Sequence, residues 1–212
     1  MLKHVMRRGA IKPYCGYSLT ELLVACSLAS IVISAVATQA ARSHIAYSSI
    51  QHATSVEDDI RALQSTITQH LSKAGFVYSP NTLSPFGATT IENTIFEVTT
   101  GHRANEPENS CVTFSYDKNK DGVVSQAQGE FFGYRLHDNA IEYRVAGHSC
   151  IQSGWYDLTD TQTTVATKFM VNRRHSSSWG SAYEIEIELH SKVDPTVKSA
   201  RTFIVEAVNA YY

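Results

Sequence analysis

Asp117, Asn119 and Asp121 stand at alternate positions with Gly122 next. Alternating carboxyl and amide oxygens ahead of a glycine are how the first half of a calcium loop surrounds a hard cation. The second half departs from that pattern, because the twelfth position is Gln128 rather than a bidentate Glu, with Ser125 and Glu130 as further oxygen donors. An Asx-rich turn between two strands uses the same residue types without a cation, and both readings stand. Arg173, Arg174 and Trp179, with His175 between them, form the basic and aromatic cluster of the chain's body. Single-stranded nucleic acid is held by that combination, and ordinary solvated loops are built from it too. There is no GxSxG, HExxH, P-loop or GxGxxG pattern, and the nine histidines are scattered. No catalytic residue is therefore assigned, and neither a required cofactor nor a small-molecule substrate is implied.

These side chains need elements to hold them, and the charge distribution bears on where those elements sit. The 212-residue chain has net charge −2, but Lys3, Arg7, Arg8 and Lys12 lie in the first 16 residues with no acid beside them. The rest carries 14 of the 18 basic residues and all 20 acidic ones, a net charge of −6. A body this acidic argues against general nucleic-acid binding, which draws its affinity from Lys and Arg, and leaves room only for a local basic patch.

From Leu22 to Ala41 no residue is charged. Twenty such residues form a helix about 30 Å long, enough to cross a bilayer. The basic residues before it keep the leader cytoplasmic and send the body outward. A cleaved signal peptide is the competing reading, with Ala35-Val36-Ala37 as a small-residue cleavage site. Against it, the apolar stretch exceeds an ordinary signal core and Glu21 stands at its entrance; an acid there costs enough in lipid to call for a partner. An outward-facing body makes a Cys111–Cys150 bridge the expected state, with two unpaired buried thiols as the alternative. Past the span, Ile45, Ile50, Val56, Ile60, Leu63, Ile67 and Leu71 keep helical spacing, and Gly75 marks a stop. One helix from Tyr17 to Ala74, or two with a hinge near Arg42, satisfies this pattern.

Gly16-Tyr17-Ser18-Leu19-Thr20-Glu21, after a short basic leader and before an unbroken apolar helix, resembles the class III signal of type IV pilins and type II secretion pseudopilins. The resemblance implies that a prepilin peptidase cuts after Gly16 and that Tyr17 becomes the N-methylated first residue. It also implies that Glu21 neutralises the N-terminal amine of a neighbouring subunit. Most members begin with Phe where this chain has Tyr17, which keeps the aromatic character. The chain would then divide into a leader (1–16), a membrane-spanning and filament-core helix (17–41), an amphipathic continuation (42–75) and a periplasmic head (76–212).

The head reads as β-structure, with runs at Cys111 to Tyr116, Glu130 to Leu136, Ala140 to Val145, Val165 to Val171, Tyr183 to His190 and Ala200 to Val208. Tyr183, Ile185, Ile187 and Leu189 alternate with Glu184, Glu186 and Glu188, the mark of a strand with one wet face. Asp138-Asn139 reads as a hairpin turn and Asp194-Pro195 as another. The expected fold is thus α+β and pilin-like, a long N-terminal helix packed on one or two antiparallel sheets. Cys111 to Gly122, Phe132 to Leu136, Cys150 and Gly154-Trp155 with Leu158-Thr159-Asp160 look like the PilW/PpdB minor pilins and, more loosely, the J-type minor pseudopilin. That implies a non-enzymatic subunit of the inner membrane and then of a pilus priming or tip complex. Its partners would be the prepilin peptidase, other minor pilins and the major pilin, with DNA uptake or adhesion as the head's task. The alternative is the same fold in a type II secretion machine.

Overall fold

The computed structural model describes residues 16–78, 98–177 and 180–210. The basic leader, Trp179 and the terminal Tyr211-Tyr212 lie outside the described residues. The chain divides into two compact units, Met1–Tyr47 and Ser48–Tyr212. Helix α1, Leu19–Leu71, is assigned without a break and contributes its first part to one unit and its second part to the other.

In the first unit the helix carries no buried residue. In the second, Val56, Ile60, Leu63, Ile67 and Leu71 are buried at 0–3% exposure, a stripe at intervals of three and four residues that faces the head's core. Ile45 and Ile50 share the spacing but are 69% and 65% exposed. The core-facing stripe therefore begins only at Val56, because periodicity marks a face and not what covers it.

The helix ends in tightened turns, with Lys73 N donating to His70 O and Ala74 N to Leu71 O. Gly75 follows at φ 78°, and its N–H donates to Ser115 O at 2.9 Å. A Cβ there would lie 2.2 Å from Asn209 O, so both backbone angle and space demand glycine.

Among the described residues the head has two antiparallel sheets. The first contains β1 (Thr99–Gly101), β2 (Cys111–Ser115), β3 (Phe131–His137), β4 (Ala140–Tyr143) and β5 (Tyr156–Asp157), in that spatial order. The second contains β6 (Thr164–Ser177), β7 (Gly180–Ser191) and β8 (Lys198–Ala207). In β7, Tyr183, Ile185, Ile187 and Leu189 are buried while the three intervening glutamates are half-buried. The Asp138-Asn139 turn takes φ of 47° and 64°, the left-handed pair that a two-residue hairpin needs. At Asp194 the side chain accepts from Thr196 N at 3.1 Å and the carbonyl from Val197 N at 3.0 Å, making the second turn.

The sheets are joined by backbone hydrogen bonds from β6: Ala166 N donates to Asn139 O (2.8 Å) and Val171 N to Asn109 O (2.9 Å). The C-terminal part of α1 is tied to the second sheet through Glu57, which accepts from Ser199 Oγ at 2.8 Å and pairs with Arg201. These donors, with Arg61, hold the Glu57 carboxyl below its ordinary range. Farther along, Thr164 Oγ1 donates to Asp59 Oδ2 at 2.5 Å.

Candidate functional site

Gly16 and Tyr17 are exposed and precede the helix. Ser18 stands just before it: its carbonyl accepts from Leu22 N at 3.1 Å, and its hydroxyl lies 2.9 Å from Thr20 Oγ1. Glu21 falls in the first turn, where a negative charge complements the helix dipole. Beyond it, Leu22, Leu23, Val24, Leu28, Ile31, Val32, Ile33 and Val36 are 56–67% exposed. The helix is long and apolar enough to cross a membrane.

The hydroxyls of Ser27, Ser30, Ser34 and Thr38 are each satisfied within the helix. Ser27 donates to Val24 O at 2.8 Å, Ser30 to Ser27 O at 2.8 Å and Thr38 to Ala35 O at 2.9 Å, and Ser34 donates to Ser30 O. With no water in the bilayer to serve those groups, such back-bonding keeps them from being orphaned.

In the Asp117 turn the side chains do converge, on one another's backbone. Buried Asp117 accepts Tyr78 N (3.0 Å) and Gly122 N (2.9 Å) on one oxygen, and Lys120 N (2.6 Å) and Asp121 N (3.3 Å) on the other. Glu130, also fully buried, accepts Lys118 N, Asn119 N and Ser125 N. Asp121 accepts Val123 N and the amides of Asn119 and Gln128; these bonds hold its carboxyl below the ordinary range. Every carboxylate named thus has N–H donors, and the loop is complete as a hydrogen-bonded turn.

Cys111 and Cys150 form a disulfide, with Cα atoms 6.0 Å apart across 39 residues. Sequence reading did not single out the group built beside it. Arg135, on β3 opposite Cys111, is 1% exposed. It donates from Nε to Glu142 at 2.5 Å, and from Nη1 to Cys150 O and Gln152 O at 2.7 Å each. Its guanidinium carbon lies 4.5 Å from the Trp155 ring centre. A pleat of β3 and β4 brings Arg135 and Glu142 face to face, and a strand-register argument could have found that pair. The loop carbonyls that complete it have no sequence signature.

A second feature also escaped prediction, an aromatic-walled cavity of 460 Å³ between α1 and the first sheet, lined among others by His70, Phe131, Phe132, Tyr143 and Tyr156. On its wall His70 Nδ1 lies 2.6 Å from Tyr134 Oη. Burial, then the charges of Lys73 and Lys118, holds the His70 pKa below its ordinary value. Burial pushes the Tyr134 phenol up.

The predicted basic cluster is only partly described. Arg174 donates to Glu184 at 2.7 Å, a bond that raises its pKa and joins it to the acidic side of β7. Arg173 lines a polar recess of 430 Å³ with Asn109, Asn172 and Tyr183.

Comparison with known proteins agrees with this architecture. Prepilin peptidase-dependent protein B of Escherichia coli (strain K12) is 22% identical over 197 residues, covering 92% of this chain and 96% of that protein. No solved structure matches. The family model described as prepilin peptidase-dependent protein B matches residues 49–207, which takes in the second part of α1, the disulfide and both sheets; the chain belongs to that family.

Proposed function

We propose that this protein is a minor type IV pilin, a non-enzymatic subunit that prepilin peptidase cuts after Gly16, leaving Tyr17 as the methylated first residue. The observation that carries the reading is the exposed, uncharged stretch 22–41 of α1 with Glu21 at its head. An apolar helix without intramolecular cover needs lipid first and neighbouring helices afterwards. Glu21 supplies the reason for the exchange: a lone carboxylate at the membrane edge is stabilised when a neighbour's new N-terminal amine reaches it. The head then lies on the periplasmic side, where the Cys111–Cys150 bridge is stable. There it makes lateral contacts with other minor pilins and the major pilin in a complex that primes assembly. The name of the Escherichia coli relative supports dependence on the peptidase.

Two measurements test this. The mature protein should yield an N-terminal peptide beginning at methyl-Tyr17; a start near Thr38 would instead mean ordinary signal cleavage. A deletion strain should lose surface pili and regain them when the retraction motor is also removed. Normal piliation with a secretion defect would move the subunit to a type II secretion machine.

A further inference from the structure

Three potential metal ligands that lie 31 or more positions apart or adjacent in sequence meet at the end of the first sheet: Glu106, His137 and Asp138. One ligand atom from each falls within 4.8 Å of the others. Among the described residues, Nδ1 of His137 is buried with no hydrogen-bond partner, and Glu106 Oε1 is 3.7 Å away. A proton on Nδ1 does not bridge that gap, since a hydrogen bond there would need about 3 Å. A metal ion does, because bonds of about 2.0–2.1 Å to nitrogen and 2.0–2.2 Å to oxygen span it at an angle somewhat wider than tetrahedral. Asp138 Oδ2 lies 3.1 Å from Nε2 of the same ring, and its side chain is 85% exposed, free to turn onto the ion.

The backbone that carries these groups is held on three sides. His137 closes β3 and pairs with Ala140 across the Asp138-Asn139 turn. Leu136 N donates to Ser110 O at 2.8 Å, tying β3 to the segment that follows Glu106, and Asn139 O accepts from Ala166 N of β6. The disulfide at Cys111 fixes the end of the same segment. A ligand set on restrained backbone loses little freedom on binding.

We propose that Glu106, His137 and Asp138 form a binding site for a divalent ion of the zinc class on the rim of the head. One borderline imidazole with two carboxylates suits zinc better than calcium or magnesium, which take oxygen ligands in larger number. The two carboxylates balance the ion's charge. The site is independent of the Asp117 turn and of the membrane helix.

The test uses the full chain in detergent, with the disulfide intact, Cys26 and any other reduced cysteine alkylated and bound metal removed by chelation. Zinc is then titrated against a chromophoric competitor, and cobalt is added as a spectroscopic probe. We expect one zinc per chain, visible cobalt bands, and a dissociation constant raised at least about tenfold in His137→Gln and Glu106→Gln. His175→Gln should bind as the parent does. Asp138→Asn, at an exposed position where misfolding is not a concern, should also weaken binding. Parent-like zinc affinity in both Glu106→Gln and Asp138→Asn, or no cobalt bands in the parent, overturns the proposal.

Discussion

Arg135 is the side chain whose loss should be felt most. Its charge is fully buried and its partners are one carboxylate and two loop carbonyls. Arg135→Met keeps the volume but leaves Glu142 as an unpaired buried acid, so we expect a loss of about 3–5 kcal/mol in urea unfolding. His70 predicts a pH effect. Its pKa is depressed from 6.5 in the folded protein, so the unfolded chain takes up a proton that the folded one refuses. The stability His70 contributes is complete above the unfolded value and is lost as pH falls through the folded one. In His70→Gln the fall in melting temperature between about pH 6.5 and 5 should be shallower than in the parent. At the Asp117 turn the carboxylates already hold N–H donors, so we expect millimolar calcium to leave the melting temperature unchanged. A rise of several degrees would show that these oxygens turn onto a cation.

At the scale of elements, long periodic segments were legible and short ones were not. The alternation from Tyr183 to Leu189 gave β7 with its wet face, and Asp138-Asn139 gave the hairpin turn. Strands β1 and β5 have only three and two residues, too few for any period to register; they exist because a neighbouring strand offers them a ladder. The helix pattern placed Val56 to Leu71 in the core but could not say that Ile45 and Ile50 stay uncovered. The disulfide was legible as the two cysteines of the polar body, whereas Arg135 and the Glu106 cluster depend on loops that only the fold brings together. Because the bridge closes a loop across 39 residues, Cys111→Ala/Cys150→Ala should lose about 3–4 kcal/mol. Urea unfolding with and without reductant checks this, and reductant should leave the double variant unaffected.

For the whole molecule, the two units differ in how their apolar side chains are covered. The head has its own core of helix and two sheets, while residues 22–41 contribute nothing to any core. Eight large aliphatic side chains in that span stand uncovered. At roughly 1.5–3 kcal/mol each, putting them in water costs on the order of 10–20 kcal/mol. At about tenfold per 1.4 kcal/mol, a subunit paused between bilayer and filament with this helix wet would be populated in fewer than about one molecule in ten million. If the subunit passes from membrane to filament as proposed, the route follows from the same cost: the helix would slide sideways from lipid tails to protein neighbours, gaining one contact as it gives up the other. On that reading, a machine that moved this subunit would work at the membrane itself, because a water-soluble carrier state would bear the full cost of the wet helix.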